Sequence, residues 1–232
     1  MKKPVVDYRK LRLSNIKSPE FRHLLLLLGW VWYLAMYFIT ENLISEERCH
    51  VIHSRMDDII PFNEYFAIFY VSWYAFLVLS LLYFLLYDIK SFVHAQKLIL
   101  AMQIVSVAIY VFWPSVQYLR PEHFDRNNIF TFIMGLIYAA DTPTGVCPSL
   151  HVGYTFAILS AWLHRRGTAA WKKILITAWS FMICISVCFV KQHSFTDVWA
   201  ALLMYIALYV FFRGGLLNWK RENGGTAATG SL

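Results

Sequence analysis

Two short polar stretches of the chain contain side chains that are suited to proton transfer and to nucleophilic attack. The first, with the sequence Cys-Pro-Ser-Leu-His, provides the hydroxyl of Ser149 and the imidazole of His151. The second, with the sequence Lys-Gln-His-Ser-Phe-Thr-Asp, provides His193 and Asp197. Because these two residues are four positions apart, they would share one face of a helix. A carboxylate one turn from an imidazole can orient the ring and fix its tautomer.

Each stretch lies where a polar loop becomes a long apolar run, which predicts a helix start. Pro148 at the beginning of such a run suits the first helical turn, where its missing N–H has no cost. The free N–H groups of a first turn, together with the helix dipole, favour an anion. Two imidazoles, a hydroxyl and two helix starts therefore predict a site for phosphoryl transfer.

The composition indicates a membrane protein rather than a soluble domain. Of the 232 residues, 59% are hydrophobic and 18% aromatic, and only 15% are charged. A soluble domain of this size is more polar. The net charge of +7 would suit a nucleic-acid partner, but in a membrane chain the distribution of charge matters more than its sum. The expected partners are therefore the lipid bilayer and a membrane lipid, with no nucleic acid.

Apolar runs divide the chain into candidate membrane spans. They predict an all-α integral membrane protein, a six-transmembrane-helix bundle over residues 24–212. A further apolar patch, Ile129–Ala140, is too short to span and predicts an extra interfacial helix in the third interhelical loop. Residues 1–23 read as a basic cytoplasmic segment and residues 213–232 as a flexible tail. The six runs cover residues 24–40, 65–87, 98–119, 152–163, 174–190 and 198–212.

The basic residues predict how these spans are oriented. With the N-terminus in the cytoplasm, 16 of the 21 Lys and Arg residues fall on the inner side. This bias predicts cytoplasmic termini, a plasma-membrane location and an extracytoplasmic site. His151 and His193 are separated by 42 positions, or about 63 Å of helix. That length is roughly two crossings of a 30 Å hydrocarbon layer, so both histidines should lie at one depth.

The loop of residues 41–64 is rich in acidic side chains and contains Cys49, His50 and His53. It is interpreted as a solvated acidic loop, and a metal cluster is the alternative, because these residue types are metal ligands. A disulfide between Cys49 and Cys147 is a second alternative, since both would lie on the outer side. Neither a metal nor a cofactor is expected for the chemistry.

The polar residues resemble three signatures of the type-2 phosphatidic acid phosphatase superfamily, which are K-x6-R-P, P-S-G-H and S-R-x5-H-x3-D. The resemblance covers residues from about 110 to 200, and six spans is the usual membrane form of that family. In this chain the second and third signatures have a form similar to that found in one branch of the superfamily. That branch includes inositol phosphorylceramide and sphingomyelin synthases. The matching residues are Arg120 and Pro121, then Pro148, Ser149, Leu150 and His151, and finally Ser186, His193 and Asp197.

The resemblance implies a role for each polar residue. His193 would attack phosphorus to form a phosphohistidine, and Asp197 would orient its ring. His151 would give its proton to the departing lipid alcohol and later activate water. The phosphoryl oxygens would be bound by Arg120, Ser149, Lys191 and backbone N–H groups of the fourth helix.

The chain departs from the family pattern at three positions. The lysine of the first signature would fall at Trp113 and the arginine of the third at Val187. The glycine of the second is Leu150. Two cationic phosphate ligands are therefore missing from their expected places, and Lys191 is the candidate to supply one positive charge instead. The departures leave water and an alcohol both open as the acceptor.

Three functions are compatible with these residues. The first is hydrolysis of a lipid phosphate of the phosphatidic acid, phosphatidylglycerophosphate or polyprenyl pyrophosphate type. The second is a phosphotransferase that passes the phosphoryl or phospho-head group to a lipid or polyol hydroxyl. The third is a non-enzymatic lipid-phosphate binder or transporter. The acid, base and nucleophile together favour an enzyme, because a binder does not need them.

Overall fold

The structure is a computed structural model that describes residues 3–224, with side chains up to Phe212. Helices dominate it. The 3₁₀ turns are Tyr8–Lys10, Leu13–Asn15, Arg22–Leu27, Glu46–Arg48 and Glu64–Phe66. The strands are β1 (His50–Val51) and β2 (Ser115–Val116). The helices are α1 (Leu28–Leu43), α2 (Arg55–Ile59), α3 (Ala67–Tyr87), α4 (Ile89–Phe112), α5 (Ile129–Ala140), α6 (Leu150–His164), α7 (Ala170–Phe189) and α8 (Phe195–Gly224).

Within residues 3–224, five helical segments are long and apolar enough to cross a membrane. They belong to α1, α3, α4, α7 and α8. The helix expected over residues 129–140 is present as α5, a shorter apolar helix. The helix expected as the fourth of six spans is α6, which has 15 residues and is therefore about 22 Å long. By length alone it does not count among the spans.

The third apolar run is a helix with other bounds than expected. The linker predicted over residues 88–97 is wrong, because α4 begins at Ile89 directly after α3 ends. Asp88 makes this possible, since its carboxylate accepts a hydrogen bond from the N–H of Ser91 at 3.2 Å and caps the new helix. At the other end the helix stops at Phe112, two residues before Pro114, because a proline cannot continue the backbone hydrogen bonding.

The structure gives contacts for the N-terminal segment and a longer last helix than the sequence predicts. The N-terminal segment packs on α3, because the hydroxyl of Tyr8 donates to the carbonyl of Leu85 at 2.9 Å and lies 2.8 Å from Nε2 of His23. At the C-terminus α8 continues to Gly224, so the tail predicted from residue 213 begins as helix. Residues 225–232 of that tail lie outside the described part of the chain.

Helix α6 lies inside the bundle. Ten of its 15 residues are buried, and it contacts α3, α4, α7 and α8. The hydroxyls of its buried Thr155 and Ser160 are satisfied within the helix, because Thr155 donates to the carbonyl of His151 and Ser160 to that of Ala157. Protein rather than lipid therefore surrounds this short helix. Tyr154 and Ile158 of this helix share one core cluster with buried residues of α3 and α4, among them Trp73, Leu77, Phe84, Phe92, Leu98, Ile99 and Met102.

The helices run so that the ends near the two histidines come together. We call the end at which α6 and α8 begin the outer end, and the opposite end the inner end. Helices α4 and α7 run in the opposite direction to α6 and α8, so their last residues also lie at the outer end. Tyr110, near the end of α4, donates its hydroxyl to the carbonyl of Pro148 at 3.1 Å, which links α4 to the residue before the cap of α6.

The outer loops are joined by a small sheet that an all-α prediction does not include. Strand β1 pairs in parallel with β2, and the third interhelical loop joins the sheet through an antiparallel bridge at Thr144. Ser115 then binds the following residues: its carbonyl accepts from the N–H of Gly145 at 2.8 Å and its hydroxyl from the N–H of Cys147 at 3.1 Å. The chain that leads into α6 is thereby fixed by backbone hydrogen bonds.

The close packing of α4 on α6 depends on Gly153. A Cβ atom at this position would lie 2.9 Å from Sδ of Met102. We expect Gly153→Leu to lower the free energy of unfolding by about 1–3 kcal/mol, because the added carbons overpack the contact between α4 and α6. Thermal unfolding of the purified protein in detergent measures this. Gly135→Ala in α5 is the control, since its Cβ would meet only Phe124 at 3.7 Å; an equal loss in both variants would contradict the packing argument.

Candidate active site

The structure brings His151 and His193 together from separate parts of the chain. His151 lies in the first turn of α6, and His193 lies in the loop two residues before α8. Their ring centroids are 5.7 Å apart. A tetrahedral phosphoryl group can contact two imidazoles at this separation, because hydrogen-bonding distances are 2.7–3.2 Å on each side.

The surroundings of His193 fix which ring nitrogen is protonated. Its Nδ1 lies 3.1 Å from the carbonyl oxygen of Val146 and 3.4 Å from Oδ2 of Asp197. A carbonyl oxygen only accepts hydrogen bonds, so Nδ1 is the protonated nitrogen. Nε2 of the neutral ring therefore has a free lone pair and can act as the nucleophile.

Asp197 contacts His193 as expected, although the two residues do not share a helix. Helix α8 begins at Phe195, so only Asp197 is helical, and its buried carboxylate points back to the loop. The same Oδ2 accepts a hydrogen bond from the N–H of Ser194 at 2.9 Å. The carbonyl of Asp197 accepts from the N–H of Ser149 at 3.3 Å. Asp197 thus connects the first turn of α8 both to the His193 loop and to the start of α6.

His151 is held by aromatic rings of α3. Its ring stacks on Tyr70 at 4.7 Å between centroids and lies 4.2 Å from the ring of Trp73. Its Nε2 is buried and has no hydrogen-bond partner. The ring is therefore fixed in position, and one nitrogen remains available for a ligand.

The start of α6 differs by two residues from the expected one. Pro148 precedes the helix rather than occupying its first turn, and Ser149 is the N-cap. Its side chain makes no capping hydrogen bond, and its buried hydroxyl has no partner. The first-turn N–H groups of a helix have no intrahelical acceptors. Both the hydroxyl and these N–H groups are consequently available to an anion.

Several buried polar atoms without partners belong to the candidate site residues. An unpaired buried polar group costs about 1–3 kcal/mol, so a group of them indicates a site that binds a polar ligand. This signal could not be read from the sequence, because it depends on which groups the fold buries together. The atoms are Oγ of Ser149, Nε2 of His151, Nε of Arg120, Nε2 of Gln192 and Oδ1 of Asp197.

Arg120 is close to the histidine loop, with most of its donors occupied. Its guanidinium donates to the carbonyl of Asp141 at 2.7 Å and to Oε1 of Gln192 at 2.8 Å. It also lies 3.3 Å from Oδ2 of Asp141 and 4.9 Å from the centre of the Tyr138 ring. These contacts fix the end of α5 against the residue before His193. Only its Nε remains buried without a partner.

The ammonium of Lys191, which was expected to bind phosphate, makes hydrogen bonds within the protein. It donates to the backbone carbonyls of Asp57 and Ile60 at the end of α2. The backbone of Lys191 has φ 52°, a left-handed conformation that reverses the chain after α7. Carbonyls at a helix end attract a cation, and this attraction fixes the position of Lys191. We therefore assign Lys191 a positioning role in the His193 loop.

Asp57 is a residue that the sequence interpretation missed. The acidic loop was expected to be solvated, but Asp57 is only 4% exposed and Glu64 only 5%. Asp57 accepts hydrogen bonds from the hydroxyl of Ser194 at 2.6 Å and from the N–H of Phe195 at 2.8 Å. Burial alone would raise the pKa of Asp57, but these bonds and those from Ser54 outweigh it and hold the pKa below its ordinary value. Asp57 is thus an anionic cap for the start of α8.

Asp141 is a second carboxyl group near the site, and it is partly buried. Its Oδ1 accepts a hydrogen bond from the hydroxyl of Tyr37 at 3.0 Å. Burial raises the pKa of Asp141 above its ordinary value, against the opposing effect of the Arg120 guanidinium.

The loop of residues 41–64 lies at the outer end, and we call it the first outer loop. Its other residues do not form a metal site. His53 contacts Asp58 at 2.8 Å, and the ring of His50 stacks on Trp113 at 4.9 Å. Within residues 3–224 no group of three or more His, Cys, Asp or Glu side chains is placed to hold a metal ion. Cys49 and Cys147 are free thiols, so the alternative of a disulfide between them is not realised.

Comparison of the chain with models of protein families, with curated proteins and with solved structures gives no match. Interpretation of the site therefore depends on its geometry and on the resemblance of its residues to the three phosphatase signatures.

The role of Asp57 predicts a pH dependence of stability. We expect Asp57→Asn to lower the free energy of unfolding at neutral pH by about 2 kcal/mol, because a charged acceptor of several hydrogen bonds is lost. A pKa below the ordinary value means that Asp57 stabilises the fold above about pH 4 and loses this effect as the pH falls further. Thermal unfolding of wild type and variant between pH 3 and 7 measures the difference, which should narrow at the acid end.

Asp58→Asn is the matched control for this measurement, because Asp58 is 66% exposed and pairs only with the half-exposed His53. It should change stability by less than about 0.5 kcal/mol at neutral pH. Equal effects of the two substitutions would contradict the assignment of Asp57 as a buried cap.

Proposed function

We propose that the protein is a six-span membrane lipid phosphatase that works through a phosphohistidine on His193 at the extracytoplasmic face. One observation carries the proposal: Nε2 of His193 is left with a free lone pair by the partners of Nδ1, and the ring of His151 lies 5.7 Å away. A nucleophile next to a second proton-transfer group, with an unpaired hydroxyl at a helix start, is the arrangement that phosphoryl transfer to an enzyme requires.

The six-span count follows if α6 is counted as a crossing. Its 15 residues are few for lipid contact, but α3, α4, α7 and α8 surround it, and a helix enclosed by protein needs no match to bilayer thickness. With α6 as a crossing, the α6 and α8 starts share one membrane face. The excess of Lys and Arg on the opposite segments makes that face extracytoplasmic.

In the first chemical step, Nε2 of His193 attacks the phosphorus of a lipid phosphate monoester. The P–N bond forms as the bond from phosphorus to the lipid oxygen breaks. His151, protonated in the presence of the anionic substrate, gives its proton to that oxygen, so the lipid departs as a neutral alcohol. Asp197 and the carbonyl of Val146 hold the Nδ1 proton and stabilise the positive charge that develops on His193.

In the second step the phosphohistidine is hydrolysed. His151 is now neutral and takes a proton from water, and the water oxygen attacks phosphorus. The P–N bond breaks, inorganic phosphate leaves, and both histidines return to their starting forms. The hydroxyl of Ser149, the first-turn N–H groups of α6 and Arg120 are the donors available to the equatorial phosphoryl oxygens. An alcohol in place of water would make the same site a phosphotransferase.

We expect His193→Ala to lower phosphate release from short-chain phosphatidic acid by more than about 10⁴-fold, and His151→Ala by about 10²–10⁴-fold. With an aryl phosphate, whose leaving group needs no acid, His151→Ala should accumulate ³²P on His193, because only the second step is blocked. Acid-labile, base-stable label measures this intermediate. His53→Ala, a substitution of an exposed histidine, is the control.

Wild-type activity should persist in excess chelator, because His193 and His151 supply the nucleophile and the acid. Abolition of activity by chelator, or undiminished activity of His193→Ala, would overturn the proposed mechanism. In membranes that contain candidate acceptor lipids, recovery of label in a new lipid rather than as free phosphate would make the protein the phosphotransferase. Tight binding of lipid phosphate with no turnover would make it a binder.

The proposed orientation is tested by cysteine labelling in a Cys49→Ser background. Thr196 is exposed at the outer end and Lys172 is exposed at the inner end. We expect Thr196→Cys to react with a membrane-impermeant maleimide in sealed right-side-out vesicles, and Lys172→Cys to react only after permeabilisation. The reverse pattern would overturn the topology, because it would result from an inverted orientation or from an α6 that does not cross. Labelling of both from outside would exclude α7, which lies between the two positions, as a crossing.

A further inference from the structure

A cavity lies at the inner end of the bundle, away from the histidine pair. Its volume is about 590 Å³, within the usual range of small-molecule sites. The start of α4, the end of α6 and residues 211–212 of α8 form its walls. Since α6 runs from Leu150 at the histidine site to His164 at the cavity, about 22 Å of helix separates the two. We call this space the inner cavity.

The charged residues of the inner cavity are mostly basic. Lys90, Lys97, Arg165 and Arg166 line it together with a single acid, Asp88. Lys90, Lys97 and Arg166 are exposed, so their ammonium and guanidinium groups remain hydrated at its mouth. The excess of positive charge favours an anionic ligand.

Arg165 is the buried cation of the inner cavity. Its side chain is only 10% exposed, and its Nε lies 3.3 Å from Oδ2 of Asp88. That Nε is nevertheless buried without a hydrogen-bond partner, because the pair is not aligned for one. The guanidinium also lies 5.1 Å from the centre of the Tyr83 ring. A buried guanidinium with an unused donor is suited to bind a phosphate oxygen.

A chain of hydrogen bonds fixes the polar wall of the inner cavity. Nδ1 of His164 lies 2.7 Å from the carbonyl of Ser160, which only accepts, so Tyr209 donates its hydroxyl to Nε2 of His164 at 2.9 Å. His94 contacts the hydroxyl of Ser160 through Nε2 at 3.0 Å. These bonds connect α4, α6 and α8 at one level. These hydrogen bonds therefore fix the positions of α4, α6 and α8 around the cavity.

The remaining wall of the cavity is apolar and reaches the outside of the bundle. Phe211 and Phe212 line it, and Phe211 is 79% exposed. Ile89 and Val93 line it from α4. A free inorganic anion gains nothing from this surface. A ligand with a phosphate at one end and hydrocarbon at the other would satisfy both walls.

We propose that the inner cavity binds the phosphate head group of an anionic phospholipid from the cytoplasmic leaflet, with its acyl chains beside Phe211. Arg165 contacts the phosphate, and Lys97 and Arg166 attract it at the mouth. Basic pockets between membrane helices on the cytoplasmic side favour such head groups, because that leaflet is negatively charged. This lipid is a bound ligand and not a substrate, since the catalytic histidines lie at the other end of α6.

The experiment measures binding of phosphatidylglycerol to the purified full-length protein in neutral detergent. The midpoint of thermal unfolding is measured at increasing concentrations of phosphatidylglycerol, phosphatidylcholine or inorganic phosphate. We expect this midpoint to rise only with phosphatidylglycerol. The double variant Lys97→Gln/Arg166→Gln should bind phosphatidylglycerol roughly thirtyfold more weakly, on the basis of the typical attraction per basic residue.

Lys10→Gln/Lys172→Gln is the matched control, because both lysines are exposed on the same end of the molecule and neither lines the cavity. It should bind within about threefold of wild type. If both double variants bound phosphatidylglycerol equally weakly, the binding would depend on general surface charge, and the proposal would be overturned. An equal response to inorganic phosphate, or to phosphatidylcholine, would also overturn it. Unchanged unfolding midpoints without lipid show that each variant is folded.

Discussion

The hydrogen bond from the N–H of Ser149 to the carbonyl of Asp197 joins the first turns of α6 and α8, and the candidate site depends on this junction. It places the N-cap of one helix against the carboxylate-bearing turn of the other. The imidazole of His151 and the loop of His193 are thereby held at one level. Neither helix start could bring the two histidines together alone, because His151 belongs to the first turn of α6 and His193 to the loop before α8.

Hydrogen bonds from the first outer loop also stabilise this junction. Asp57 accepts from Ser194 and Phe195, while its own carbonyl accepts from the ammonium of Lys191. A loop outside the hydrocarbon layer has little apolar surface to pack, so its position has to be fixed by hydrogen bonds. The result is a loop that is held by hydrogen bonds on both sides of His193.

The two ends of α6 differ in their chemistry. At the outer end His151 packs against the aromatic rings of Tyr70 and Trp73, and its buried Nε2 has no hydrogen-bond partner. At the inner end His164 is fully engaged by Ser160 and Tyr209 beside a cavity of about 590 Å³. Packing by protein on all sides allows one short helix to present polar groups at both ends. The cost of exposing those groups to lipid is avoided because neighbouring helices shield them.

The sequence alone determined the membrane character and the elements that contain the site. Long apolar runs indicate helices, because a backbone in lipid must satisfy its hydrogen bonds internally. Five such runs are helices long enough to span, and the short helix Ile129–Ala140 is also present. Spacing between His151 and His193 was sufficient to predict that they lie at one depth, because two crossings return the chain to the same face.

Only the tertiary structure decided what each polar side chain contacts. Lys191 had the charge of a phosphate ligand, yet the end of α2 binds it; Asp57 had the character of a surface acid, yet it is buried. The bounds of α4 depended on the cap by Asp88, and the small sheet depended on three distant loops. Sequence patterns report periodicity and composition, which are local. The hydrogen bonds of these loops join residues that are more than a hundred positions apart, so local patterns do not predict them.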